Sequence, residues 1–348
     1  TATGRARVLD ALTLAGAGLE PGRELIRRIE GISGTVTFEL AFQPRFDYGR
    51  RPPRLRVQGG CGYAVDRGSA LALLVWPDAQ LALRDGTISG SVTVAQGEQA
   101  DVVLASAHGE PLVLPSRDDL ARRLEFTHAY WADWAETRTY SGPWREQVLR
   151  SSLALKLLVH APSGAVAAAP TTSLPEQIGG ERNWDYRYSW VRDSALTIHA
   201  FLTIGCAAEA RSFFWWLLHT SQISRPRLHV LYRLNGGTRA REQTLPLAGY
   251  RDSAPVRIGN GALDQLQLDL YGNLLQSAWL FAQHGHHLDA ETGKRLAATA
   301  DYVCTIWQRE DAGIWEVRSE PLHFTQSKMM CWLALQRALD LAEHDALP

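Results

Sequence analysis

Tryptophan is distributed very unevenly along this chain: Trp76 stands alone in the first 130 residues, and the other eleven of twelve follow. The period of the apolar residues changes at the same place, so one uniform fold is excluded and a domain boundary is expected near residues 115–130. A length of 348 residues, more than one average domain, agrees with this. Before the boundary, apolar and polar residues alternate. In "TVTFELAF", Val36, Phe38, Leu40 and Phe42 share one face of an expected strand, while Thr35, Thr37 and Glu39 share the other. "SALALLVW" and "ADVVLAS" read as further strands, and "RDGT" around Asp85 and Gly86 as a hairpin turn between "AQLAL" and "ISGSVTV". An antiparallel β-sandwich over residues 1–115 is the natural reading.

After the boundary the spacing becomes helical. Leu120, Leu124, Trp131 and Trp134 recur on one face, Asp118 or Asp119 can cap the start, and "SGP" stops the helix, which makes residues 116–142 a linker helix. Further helices are expected at about 144–160, 191–203, 206–219, 264–284, 289–308 and 322–343. The long loops at 161–190, 220–263 and 309–321 hold most of the unusual residues, and functional groups concentrate on such loops. "GAVAAAP" at 164–170 reads as plain loop.

Composition removes several function classes. A formal net charge of −1 and a pI near 6.8 give no electrostatic reason to expect nucleic acid or an anionic membrane as partner. The apolar runs "SALALLVW" and "SFFWWLL" are too short to cross a bilayer, and no signal-peptide pattern opens the chain, so a cytoplasmic location is expected. Cys61, Cys206, Cys304 and Cys331 lack CxxC or CxxH spacing. They are expected to be buried thiols, with no zinc site and no disulfide framework.

Three segments carry chemistry. "NWDYRYSWVRDSAL", residues 183–196, packs two Trp, two Tyr, two Arg and two Asp into fourteen residues. A neutral sugar needs fixed hydrogen-bond donors and acceptors for its hydroxyls and aromatic rings for its C–H faces. Arg192 and Asp193 supply a donor fork beside an acceptor, and Trp184, Tyr186 and Trp190 supply rings. The same residues also suit a plain core with a structural Arg192–Asp193 ion pair. In "DAGIWEVRSEPLHFTQSK", Glu316 lies between Trp315 and Val317. An apolar surround favours the protonated form of a carboxyl group, as a general acid requires; pairing with Arg318 or a lysine is the structural alternative. In "PVRIGNGALDQLQLD", Gly259 and Gly261 flank Asn260 ahead of an expected helix. A phosphate cradle is conceivable there, but without GxxxxGK or GxGxxG a polar loop feeding a pocket is the better reading.

Together with "PRFDYG" and "AAPTTSLPE", these segments resemble glycoside hydrolase family 15, the family of glucoamylases, glucodextranases and related bacterial trehalases. The resemblance covers most of the chain, with the motifs in the family's order. It implies an (α/α) six-hairpin toroid over residues 143–348, with loops at one end forming a pocket for the non-reducing end of an α-glucoside. Arg192 and Asp193 look like the pair that grips the terminal glucose, Tyr186 and Trp190 resemble the aromatic wall, and Glu316 resembles the general acid of a "WE" motif. Trp184, Trp315 and Asn260 complete the expected sugar-binding set. The implied reaction is inverting hydrolysis that releases glucose, glucoamylase-like, with α,α-trehalase as the alternative, and it implies no metal and no organic cofactor. In that scheme a second carboxylate roughly 6.5–9.5 Å from the acid activates water.

The family carries that base late in its sequence, and no segment here resembles it. A partial β-sandwich followed by part of a toroid, an internal fragment of a longer enzyme, is therefore expected. On its own such a chain is expected to be inactive, with the apolar faces of "MMCWLALQRALDLA" and "LLQSAWLFA" partly unpartnered and the protein prone to association. Asp185, Asp264 and Glu320 are the alternative positions for the second carboxylate. Two rival classes differ in chemistry: an inverting phosphorylase, for which no basic cluster is apparent beside Glu316, and a non-catalytic sugar-binding protein.

Overall fold

The structure, a computed structural model, describes residues 1–14, 23–344 and 347; residues 15–22, 345, 346 and 348, including part of the closing "AEHDALP", lie outside the described residues. It divides into two compact units, Thr1–Glu136 and Thr137–Pro348.

The first unit is an antiparallel sheet of β1 (Gly4–Leu12), β2 (Glu24–Phe42), β3 (Arg54–Gln58), β4 (Cys61–Asp66), β5 (Ser69–Trp76), β6 (Ala82–Arg84), β7 (Thr87–Ala95) and β8 (Gln99–His108), followed by helix α1 (Arg117–Glu136). The order is β3-β4-β5-β8-β2-β7-β6, with β1 also paired to β2. β3 at one end contacts β6 and β7 at the other, so the sheet nearly closes on itself. β2 joins the two halves. Its Glu24 to Glu30 stretch pairs with β8 and its Thr35 to Phe42 stretch with β7. The change of partner falls near Gly31, where a Cβ would lie 1.9 Å from the Ala95 carbonyl oxygen.

The alternation read in "TVTFELAF" is observed, with Val36 buried, Phe38, Leu40 and Phe42 half-buried and Thr35, Thr37 and Glu39 exposed. Asp85 and Gly86 both take left-handed backbone between β6 and β7, as a tight hairpin turn requires. The unbroken apolar run of β5 has a different cause. Ala72 and Leu74 join a cluster with Ile26, Val103 and Leu120, whereas Leu73 and Val75 join one with Ile29, Val92 and Val94. Both faces of β5 are covered, one of them by α1. That helix starts at Ser116, not at Asp118 or Asp119: the Asp119 amide donates to Ser116 Oγ, and the Ser116 amide donates back to the Asp119 carboxylate. This is a reciprocal capping box.

The second unit is mainly helical: α2 (Arg145–Leu157), β9 (Ser189–Trp190), α3 (Ser194–Thr203), α4 (Ala207–Ser221), β10 (Leu231–Tyr232), β11 (Gln243–Leu245), β12 (Val256–Ile258), α5 (Asp269–Gln283), α6 (Ala290–Ile306) and α7 (Thr325–Glu343). Helix α5 is the hub, packing against α3, α4, α6 and α7. Eleven of its fifteen residues are buried, so it has almost no solvent face. Gly272 lets α7 come close: a Cβ there would lie 2.5 Å from the Met330 carbonyl oxygen.

The expected helix over 264–284 begins only at Asp269, because Gln265 is extended and long-range bonds engage the residues that follow it. The Ala312 amide donates to the Leu266 carbonyl, and the Leu268 amide donates to Asp311 Oδ2. Two cysteine expectations fail: Cys206 and Cys331 are buried, but Cys61 is half-buried and Cys304 exposed. Among the described residues no helix is long and apolar enough to cross a membrane, and no group of three or more His, Cys, Asp or Glu could hold a metal ion.

Asp269 opens α5 fully buried, and neither of its carboxylate oxygens makes a hydrogen bond of good geometry. Burial pushes its pKa up to about 6; Arg192 and the Gln326 amide of α7 pull it down, and nearby Asp311 pushes it further up. A carboxyl raised in the folded state favours folding below its unfolded value, and that contribution is lost as pH rises through about 6. Asp269→Asn mimics the protonated form, so its stability relative to the parent should rise by about 1–3 kcal/mol between pH 4 and pH 8, read by denaturant titration at each pH. Gly272→Ala should lower stability by about 1–3 kcal/mol at any pH by forcing α5 and α7 apart.

Candidate active site

All of the expected site residues belong to the second unit. The chain from Asn183 to Asp193 runs from a loop through β9 into the turn that opens α3. Asn183 is buried and donates to the carbonyls of Gly180 and Pro255, so it is structural. Asp185 is buried as well, accepting from the Arg187 amide and side chain and, at 2.9 Å, from the Gly259 amide. β9 pairs with β10, which fixes Trp190, and α3 begins one residue after Asp193. Trp190 and Arg192 are thereby anchored on a short strand-to-helix connection.

Glu316 sits on a tight turn. Its φ of +53° is left-handed, a conformation that costs a side-chain-bearing residue on the order of 1–3 kcal/mol. The surrounding bonds impose it. The Glu316 amide donates to the Gly313 carbonyl, the Val317 amide to the Ala312 carbonyl, and Gln265 Nε2 to the carbonyls of Glu316 and Val317. Asp311 ties the base of the turn to α5 and α7 by accepting from the Leu268 amide and from Ser327 Oγ.

The expected apolar surround of Glu316 is not what the fold builds. Its Oε1 accepts from Trp190 Nε1 at 2.8 Å and from Arg192 Nη2 at 3.0 Å, a partly buried ion pair. Arg192 Nη1 donates to Gln267 Oε1, and Gln267 in turn donates to Gln265, closing a circuit back to the Glu316 backbone. Arg192 is therefore partnered by Glu316, not by Asp193, and Arg318 is partnered by Glu242, not by Glu316. Arg192 and Asp193 are adjacent in sequence, but Arg192 turns toward the 311–317 turn. The Asp193 carboxylate has no partner among the described residues and does not cap α3. Asp193 is open to solvent, yet the surrounding protein pushes its carboxyl above the usual range; Arg192 opposes that rise and Glu316 adds to it.

Two cavities meet here. One of about 850 Å³ is lined by Trp184, Asn260, Trp315, Glu316 and Arg318, among others. One of about 380 Å³ is lined by Asp193, Thr197, Phe213 and the Ala167 to Ala169 run. Tyr186, Trp190 and Arg192 line both and form the shared wall. Tyr186 and Trp190 are in ring contact at 5.8 Å, and burial raises the Tyr186 hydroxyl pKa, with Glu176 adding to it. Trp315 exposes 82 % of its surface at the mouth. Trp184 lines the larger cavity, but its ring carries the guanidinium groups of Arg318 and Arg257 at 4.2 and 4.6 Å.

Asn260 is buried, and its side chain accepts from the Ala262 amide while lining the cavity. The amides of Gly259 and Gly261 flanking it are used by the carboxylates of Asp185 and Glu242, which leaves no phosphate cradle. Asp264 and Glu320 are exposed and, like Asp185, do not line either cavity. None of the three alternative second carboxylates is placed opposite Glu316.

Sequence reading missed Gln265, Gln267, Glu242, Arg257 and Arg182. It also missed the alanine run, read as plain loop, which forms one side of the smaller cavity. The run of small side chains directly before "PTTSLPE" was the available signal. A basic cluster beside Glu316 was not apparent either, yet Arg182, Arg192 and Arg318 all line the larger cavity. Each has a carboxylate close by: Glu176 at 3.8 Å, Glu316 at 3.0 Å and Glu242 at 2.6 Å.

Comparison with known proteins gives the family and the fold. Residues 142–346 match the family model described as glycosyl hydrolases family 15. The trehalase of Mycolicibacterium smegmatis is 37% identical over 331 residues, covering 92% of this chain and 49% of that protein. The trehalase of Thermoplasma acidophilum is 36% identical over 324 residues, covering 92% and 54%. The chain thus spans about half the length of the curated relatives it matches. In fold it is similar to a bacterial glucoamylase solved in complex with acarbose, with a TM-score of 0.56 at 11% identity over 92% of this chain and 52% of that one. With the sheet, the helices that follow it and the 142–346 match all in agreement, the chain belongs to glycosyl hydrolases family 15.

Proposed function

We propose that this chain carries the glucose-gripping and proton-donating half of a glycoside hydrolase site, with α,α-trehalose as its substrate. The observation that carries the reading is the position of Glu316. Its carboxylate is fixed through Oε1 by Trp190 and Arg192, residues of the wall shared by the two cavities, while Oε2 has no partner among the described residues. A carboxyl group fixed on one oxygen can hold its transferable proton on the other. In this reading the terminal glucose occupies the smaller cavity, where Asp193 accepts from its hydroxyls and the Tyr186 and Trp190 rings pack on its C–H faces. The scissile oxygen then lies at Glu316, which donates a proton as the bond to the leaving sugar breaks.

Glucoamylase-like hydrolysis was the first expectation from the sequence. The names of the similar curated proteins, all trehalases, favour the alternative instead. The base that activates water is assigned to none of Asp185, Asp264 and Glu320. We place it in the portion of the relatives' length that this chain does not match.

The test is anomer-resolved proton NMR of the full-length protein with trehalose, maltose, isomaltose and starch. Release of one α- and one β-glucose per trehalose, with slower turnover of the others, is the expected result; maltose or starch turned over faster would return the glucoamylase reading. Glu316→Gln should lower trehalose turnover by about 10²–10⁴ while glucose affinity stays within a few fold. Asp193→Ala removes a carboxylate acceptor that no described residue uses. Stability should therefore move by no more than about 0.5 kcal/mol, whereas kcat/KM should fall by about 10–100-fold for a lost charged hydrogen bond.

A further inference from the structure

The placement of the terminal glucose leaves the far wall of the larger cavity without a role. Trp184 and Arg318 line that wall, and Glu242 and Arg257, from distant parts of the sequence, pack against them. Glu242 accepts from Arg318 with both oxygens, at 3.0 and 2.6 Å, and also from the Gly261 amide at 3.1 Å. Arg257 approaches the same carboxylate at 3.4 Å. The Arg318 guanidinium also lies over the Trp184 ring. These contacts hold Glu242 below the usual carboxylate range, chiefly through Arg318.

Arg318 is thus oriented by a two-point carboxylate contact and an aromatic face. An arginine has five N–H donors, and two of these point at Glu242. The other three have no partner among the described residues, and Arg318 is 48% exposed along its side chain. The free donors belong to a residue that lines the larger cavity and not the smaller one. Trp315, three residues earlier in the same loop, lines that cavity with a largely uncovered ring. A fixed donor fork beside an open aromatic face suits a pyranose: hydroxyl oxygens for the fork, C–H face for the ring. Glu242 offsets part of the charge of Arg318 and Arg257, and the open apolar ring of Trp315 beside the fork suits a sugar face better than an anion.

We propose that Arg318, oriented by Glu242 and Trp184, is the residue that recognises the departing hexose and so determines specificity for it, with Trp315 as that sugar's apolar platform. This deepens the reading of the preceding subsection and rests on it. Asp193 and the shared wall hold the glucose that keeps the anomeric carbon, and Arg318 holds hydroxyls of the sugar that leaves.

The experiment compares the full-length parent with Arg318→Lys, Arg318→Ala and Glu242→Gln on trehalose and on α-glucosyl fluoride, whose leaving group has no hydroxyls. Arg318→Ala should lower the ratio of kcat/KM for trehalose to that for the fluoride by about 10–100-fold. Arg318→Lys, which keeps the charge and loses the fork, should lower it by at least about tenfold, and Glu242→Gln in the same direction but less. A ratio within about twofold of the parent in both Arg318 variants overturns the proposal, whether the two rates hold together or fall together. If the parent hydrolyses neither compound, the hydrolase reading fails, and calorimetric affinities for trehalose and methyl α-glucoside take over as readout. Loss of the parent's preference for trehalose in Arg318→Lys supports the proposal; an unchanged preference, or binding of neither sugar by the parent, overturns it.

Discussion

The ion pair between Arg192 and Glu316 ties the site to the fold. It spans 124 positions of sequence and joins the strand-to-helix connection before α3 to the turn before α7. Two partly desolvated charges are costly unless geometry and further hydrogen bonds compensate them. Trp190 and Gln267 supply those bonds. The left-handed backbone of Glu316, the non-helical residues 265–267 and the buried Asp311 all serve to hold the pair. By binding both the Leu268 amide and Ser327, Asp311 ties the turn to the starts of α5 and α7 at once.

The same compensation recurs around the larger cavity. Arg182, Arg192 and Arg318 would make it strongly cationic, but each has an acidic neighbour, and both oxygens of Glu242 are engaged by Arg318. The cavity therefore offers directional donors with little net charge. Such a surface discriminates among hydroxyl arrangements without attracting anions indiscriminately.

What the sequence disclosed follows the range of the interactions involved. The strand face of Val36, Phe38, Leu40 and Phe42 and the Asp85–Gly86 turn are set by neighbours in sequence, and both were legible. The helices were legible from spacing, with errors where long-range bonds override propensity, as at Gln265 to Leu268 before α5. The site was half legible. Arg192, Asp193, Tyr186, Trp190 and Glu316 were found as residue types in motifs, but their pairing was not, because adjacency suggested Arg192 with Asp193. Arg318 and Glu242 stand 76 positions apart, and nothing local in either marks the other. Trp184 was read as a sugar platform because spacing cannot reveal that two arginines lie on its ring.

The shared wall of Tyr186, Trp190 and Arg192 has a consequence for how such a protein can change. Those three side chains line both cavities, so in the proposed reading a substitution among them would perturb the retained sugar, the acid and the departing group together. Selection for a new substrate through them would be penalised at every step. Trp184 and Arg318 line only the larger cavity, and Glu242 and Arg257 pack against them from other segments of the chain. Under the proposed function, drift in those segments would alter what is cut from a glucose while the residues that hold the glucose stay constant. The separation of the two cavities is thus a division between a part of the molecule that is free to diversify and a part that is not.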